Sequence, residues 1–88
     1  IAMNAVRLSS LNLGDTVAVI GLGVVGQLVA QLVRCQGGVV IAIDLNASRV
    51  KIAKENGADY GVVASEATVQ QVRAMTGGRG VDCVIVAA

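Results

Sequence analysis

Three glycines at a fixed spacing, Gly21-Leu22-Gly23-Val24-Val25-Gly26, and one acid further on, Asp44, are the residues of this 88-residue chain best suited to chemistry. The glycines match G-x-G-x-x-G, and each has a separate physical task. Gly21 lets the preceding run turn tightly. Gly23 has no Cβ, so a pyrophosphate can approach the main chain. Gly26 lets a following helix pack closely on a strand. A helix that opens here presents unpaired N–H groups and the positive end of its dipole to the phosphates, so no lysine is needed. None is nearby, and the lack of Gly-Lys-Ser/Thr argues against a nucleoside triphosphatase loop. Asp44 stands 44 − 26 = 18 residues after the last glycine. That is close to the spacing of about 20 at which an acid accepts the ribose hydroxyls of an adenosine. A carboxylate there repels a 2′-phosphate, so NAD is favoured over NADP. The plainer alternatives are turn and packing roles for the glycines, and a strand terminus or helix cap for Asp44.

A motif of this kind works only between a strand and a helix, and the flanking sequence supplies both. Thr16–Ile20 reads as a short strand. A first helix follows over 24–36, with Gln27, Gln31 and Arg34 as one solvent stripe and Val25, Leu28, Val29, Leu32 and Cys35 opposite. Gly37-Gly38 stops it. A second apolar strand, 39–43, ends on Asp44. The second helix spans 47–56, capped by Asn46 or Ser48 and ended by Gly57. A short third strand covers 60–63, with Tyr60 a packing residue. Ser65 caps a third helix reaching Thr76, with Val69, Val72 and Met75 inward. Gly77, Gly78 and Gly80 break it, and 81–87 is the fourth strand, with Asp82 capping the turn before it and Cys83 in the core. Residues 1–9 read as the tail of a helix, and 12–15 as a turn. Strict alternation of strand and helix demands a parallel sheet with right-handed crossovers. The expected fold is α/β: a partial Rossmann fold, a four-stranded parallel sheet in the order 3-2-1-4 with helices on both faces.

Composition agrees with one small domain. Apolar residues make up 55% of the chain, and Tyr60 is its only aromatic. The core must then be Val, Leu, Ile and Ala, which suits a parallel sheet covered on both faces. A net charge of +1 with scattered basic residues excludes an electrostatic case for nucleic acid. No apolar run reaches the roughly 18 residues of a membrane span, and Ile1 opens no signal-peptide pattern. There is no histidine, and Cys35 and Cys83 are far from metal-ligand spacing. The expectation is no zinc site within these residues, free thiols, and a cytoplasmic setting.

Three separated blocks, "GDTVAVIGLGVVGQLVAQLVRCQG", "VIAIDLNASRVKIAKENGAD" and "TGGRGVDCVIVAA", resemble the cofactor domain of medium-chain dehydrogenases, the zinc alcohol, polyol and threonine dehydrogenase relatives. The resemblance covers nearly the whole chain. It implies that Gly21, Leu22, Gly23, Val24, Val25 and Gly26 line the pyrophosphate of NAD, and that Asp44, with Leu45 beside it, holds the adenine ribose. It places Arg49 near the same ribose, where the residue's other reading is a solvent-facing charge. Ala87 and Ala88 fall beside the adenosine, and residues 1–9 resemble the helix that joins the catalytic domain to the cofactor domain.

Family members run to several hundred residues, with a catalytic domain bearing any zinc ligands and a six-stranded cofactor domain. This chain resembles the adenosine-binding half of that domain, residues 1–88 being a truncated dinucleotide-binding unit. The expectations are an NAD-dependent oxidoreductase as parent, with zinc possible there, and negligible activity in the 88 residues alone. The separate catalytic domain is the expected partner, with self-association through the apolar fourth strand. Rival readings are a regulatory NAD-binding module of the potassium-channel type, a methyltransferase and a non-binding structural fragment. The Gly-Ala-Asp and Gly-Arg-Gly-Val-Asp blocks favour the dehydrogenase over the first. The spacing to Gly26 departs from the G-x-G-x-G usual in the second.

Overall fold

Strand β1 (Thr16–Ile20) forms where Val17, Ala18 and Val19 leave no polar face, and all three are buried. The structure, a computed structural model, describes residues 14–87. The helix tail expected over 1–9, part of the 12–15 turn, and Ala88 lie outside the described residues. After β1 come α1 (Val24–Cys35), β2 (Val39–Asp44), α2 (Ala47–Glu55), β3 (Tyr60–Val63), α3 (Thr68–Met75) and β4 (Cys83–Val86). The four strands form one sheet, parallel as the alternation requires, in the expected order β3-β2-β1-β4. β1 lies between β2 and β4, with Ile20 level with Ile43 on one side and Val86 on the other.

Side chains that alternate along each strand build two cores. On one face Val17, Val19, Val40, Ala42 and Ile85 meet Val29, Ala30 and Val33 of α1 and Val50 and Ala53 of α2. On the other, Ala18, Ile41, Ile43 and Val62 meet Val72 and Met75 of α3, both half-buried. Val17, Val19, Val33, Val40, Ile41 and Ile85 are fully enclosed, each worth roughly 1.5–3 kcal/mol of transfer free energy. Cys83 packs half-buried against the first core.

Several local expectations need correction. The buried face of α1 is Gly26, Val29, Ala30 and Val33, because the small residues 26 and 30 let the helix lie close to the sheet. Leu28 and Leu32 are 55% and 51% exposed, and Val25 and Cys35 are exposed beside them. Gln27, expected in solvent, is half-buried and turned toward α2. Ser65 does not cap α3. Its hydroxyl accepts from Ala67 N–H at 3.2 Å, and its N–H donates to Thr68 Oγ1 at 2.8 Å, so it closes a separate turn before the helix. Val69 is 66% exposed, since a helix starting at Thr68 turns Val72 and Met75 inward instead. Tyr60 is 40% exposed on the outer strand. Asp82 reaches across to β1, accepting from Thr16 N–H at 2.7 Å.

Candidate functional site

At the carboxyl ends of the strands lies a cleft of about 440 Å³. Ile20, Gly21 and Gly23 form one wall, Asp44, Leu45 and Arg49 another, and Ala64 and Ala87 close it beyond β3 and β4. The strand order reverses between β1 and β4, and that switch point is where open α/β sheets hold ligands.

The glycine loop is built as its spacing requires. Gly21 adopts φ 90°, in the left-handed region, while its N–H still bonds Ile43 C=O at 2.9 Å. The chain thus leaves β1 abruptly without losing the ladder bond to β2. A Cβ on Gly26 would collide with the Gly21 carbonyl, so only glycine lets α1 begin this close to the end of β1. Gly23 differs from both. It has φ −70°, and a Cβ there would meet nothing within 4 Å. Its bareness serves no contact among the described residues and keeps open the space in front of the helix. Gly23 is the N-cap of α1; no side chain caps it, and the first turn has no acid. The twelve-residue helix therefore opens at a residue that lines the cleft, with no side-chain cap on its first N–H groups and no acid in its first turn.

Asp44 ends β2 beside the glycine loop, its side chain 10% exposed. Oδ2 accepts from Leu22 N–H at 2.6 Å and Oδ1 from Asn46 N–H at 2.8 Å. Those N–H groups, Asn46 first and Leu22 next, hold the carboxyl below the usual carboxylate range against the opposing effect of burial. The Arg49 guanidinium and the Leu45 N–H add to the lowering. Arg49 Nη1 stands 3.9 Å from Oδ2, with half its side chain in solvent. Each carboxylate oxygen keeps a further acceptor site for an incoming hydroxyl.

Of the residues singled out in the sequence, the cleft brings together Gly21, Gly23, Asp44, Leu45, Arg49 and Ala87. Leu22 acts through its main chain, its side chain being 1% exposed in the core. Val24 and Val25 lie exposed on the first turn of α1, and Gly26 sits beneath it. Ile20 and Ala64 also line the cleft and carry no sequence signal of their own. Asn46 does show one: it caps α2, accepting from Ser48 N–H at 2.9 Å and Arg49 N–H at 3.4 Å. Among the described residues no three His, Cys, Asp or Glu side chains gather to hold a metal. None of their helices is long and apolar enough to cross a membrane.

The sequence and the fold both have relatives among known proteins. Residues 24–88 match the family model described as zinc-binding dehydrogenase. The chain is 38% identical over 86 residues to D-guloside 3-dehydrogenase of Escherichia coli, covering 96% of this chain and 25% of that protein. It is 36% identical over 86 residues to the NAD-dependent alcohol dehydrogenase of Sulfolobus acidocaldarius, covering 96% of this chain and 24% of that one. The solved alcohol dehydrogenase of Thermus sp. ATN1 superposes with a TM-score of 0.87 at 34% identity, covering 99% of this chain and 26% of its own. The chain spans about a quarter of the length of the relatives it matches.

Proposed function

The chain belongs to the zinc-binding dehydrogenase family, and from that premise we propose that its cleft binds the adenosine and pyrophosphate half of NAD for an alcohol-type dehydrogenase. The observation that carries the reading is the pairing of two anchors in one cleft. The helix opens uncapped at Gly23, and the Asp44 carboxylate lines the same cleft, tied to the loop through Leu22 N–H. The pyrophosphate rests on Gly21 to Gly26 at the mouth of α1, where Val24 and Val25 contribute N–H groups. The ribose hydroxyls donate to Asp44, with Leu45 and Arg49 bordering the adenosine. A carboxylate held ionised at this point disfavours the extra charge of a 2′-phosphate, so NAD is preferred to NADP.

In the whole protein the nicotinamide supplies hydride chemistry, and the residues here contribute binding and orientation. We assign residues 1–88 as part of the dinucleotide-binding domain, which works with a separate catalytic domain. Any zinc belongs to that other domain. The 88 residues alone carry no turnover, and a cytoplasmic setting suits the two free thiols. Equilibrium binding of NAD and NADP to the full polypeptide tests the assignment. NAD should bind several-fold tighter, and equal or reversed affinities would contradict the role given to Asp44.

A further inference from the structure

Gln27 spans two elements that the cofactor reading needs held at a fixed distance. It lies on the first turns of α1, and its own N–H closes a helical bond on Gly23 C=O at 2.9 Å. Its side-chain Nε2 donates to Leu22 C=O at 3.2 Å and to Arg49 C=O at 2.9 Å. One amide nitrogen thus uses both its protons on carbonyls of two different elements, the glycine loop and the first turn of α2. The reverse orientation would set the amide oxygen against two carbonyl oxygens, so the acceptors dictate which way the group points. Oε1 is buried and meets no donor among the described residues. That is a cost the two donated bonds must outweigh.

The contacts close into a ring. Leu22 is gripped at both ends of its main chain, N–H by Asp44 and C=O by Gln27. Arg49 is gripped at its carbonyl by Gln27, while its guanidinium faces Asp44 at 3.9 Å. We propose that Gln27 is a positioning residue for the dinucleotide, the brace that fixes the phosphate loop relative to the ribose-binding end of β2 and α2. The inference rests on the nucleotide reading above. A ligand that reaches only one anchor is indifferent to the brace. A ligand that spans both requires it, because a small displacement of one anchor spoils the simultaneous fit.

The test compares two ligands on the full polypeptide: adenosine, which reaches the ribose anchor alone, and ADP-ribose, which spans both. Q27L and Q27M remove both donated bonds at similar volume, and either one decides if the other fails to fold. ADP-ribose should bind about 5- to 20-fold more weakly in the folded variant, with adenosine changed by less than about twofold. Unchanged ADP-ribose affinity, an equal loss for both ligands, or unfolding of both variants would overturn the brace. If the unmodified polypeptide binds neither ligand, the nucleotide reading itself fails, and that is seen before any variant is made.

Discussion

Leu22 N–H donates to Asp44 Oδ2 at 2.6 Å, tying the loop after β1 to the last residue of β2. The two features that the sequence separates by a whole helix are thus one hydrogen-bonded unit. Disturbing either should be felt at the other.

Gly23 and Gly26 should separate binding from folding. A Cβ at 23 meets nothing within 4 Å, whereas one at 26 strikes the Gly21 carbonyl. Gly23→Ala should leave the melting temperature close to the original and weaken NAD by tenfold or more, on the order of 1.4 kcal/mol. Gly26→Ala should lower stability by about 1–3 kcal/mol through overpacking. Thermal melts paired with NAD titration measure both, and equal stability losses would contradict the distinction.

Asp44 should link stability to acid pH. Its folded pKa is depressed, so its contribution is complete above the unfolded value, about 3.9, and is lost as pH falls through the lower folded value. Asp44→Asn should flatten that acid limb and cost about 1–3 kcal/mol at neutral pH, since an amide cannot serve both N–H donors equally. Denaturant melts between pH 2 and 7 would show it; an unchanged limb would mean that the Leu22 and Asn46 bonds do not favour the charged form.

Asn46 offers a control beside the acid. Its side chain caps α2 through Ser48 and Arg49 N–H, while its own N–H serves Asp44. Asn46→Ala should cost about 0.5–2 kcal/mol and leave NAD affinity within about twofold, because the main-chain donor survives. A large affinity loss in a folded variant would show that the side chain itself meets the ligand.

The outer edge of the sheet should govern association of the 88 residues in isolation. β4 stands at the edge, with Val84 48% exposed, and Leu28 and Leu32 of α1 are exposed on the first core's side. Apolar edge strands invite pairing, so sedimentation should show self-association that Val84→Lys reduces. A stable monomer at high concentration would contradict it.

The parallel sheet and the glycine loop were legible because they follow from local rules: β-branched runs, glycines at a turn, and the alternation of strand with helix. The strand order rests on the fold that the glycine motif and the family resemblance imply. Gly21, Gly26 and Asp44 stand where spacing alone puts them. Which face of α1 meets the sheet was not legible. Gln27, Gln31 and Arg34 read as one solvent stripe, and nothing local says that Gln27 meets Arg49 C=O from a helix 22 residues away. Nor does hydropathy reveal that Leu28 and Leu32 yield the sheet to Gly26 and Ala30. Close approach favours small residues there, and only the packed sheet decides it. Ala64 joins the cleft for the same reason, through the end of a strand distant in sequence.

The most direct measurement is calorimetric titration of the full polypeptide with NAD, carried out on the original sequence, Gly23→Ala and Asp44→Ala. The two-anchor site predicts saturable one-to-one binding that each substitution weakens at least tenfold in a folded protein. Absence of binding at millimolar NAD, or binding that neither substitution alters, would contradict it.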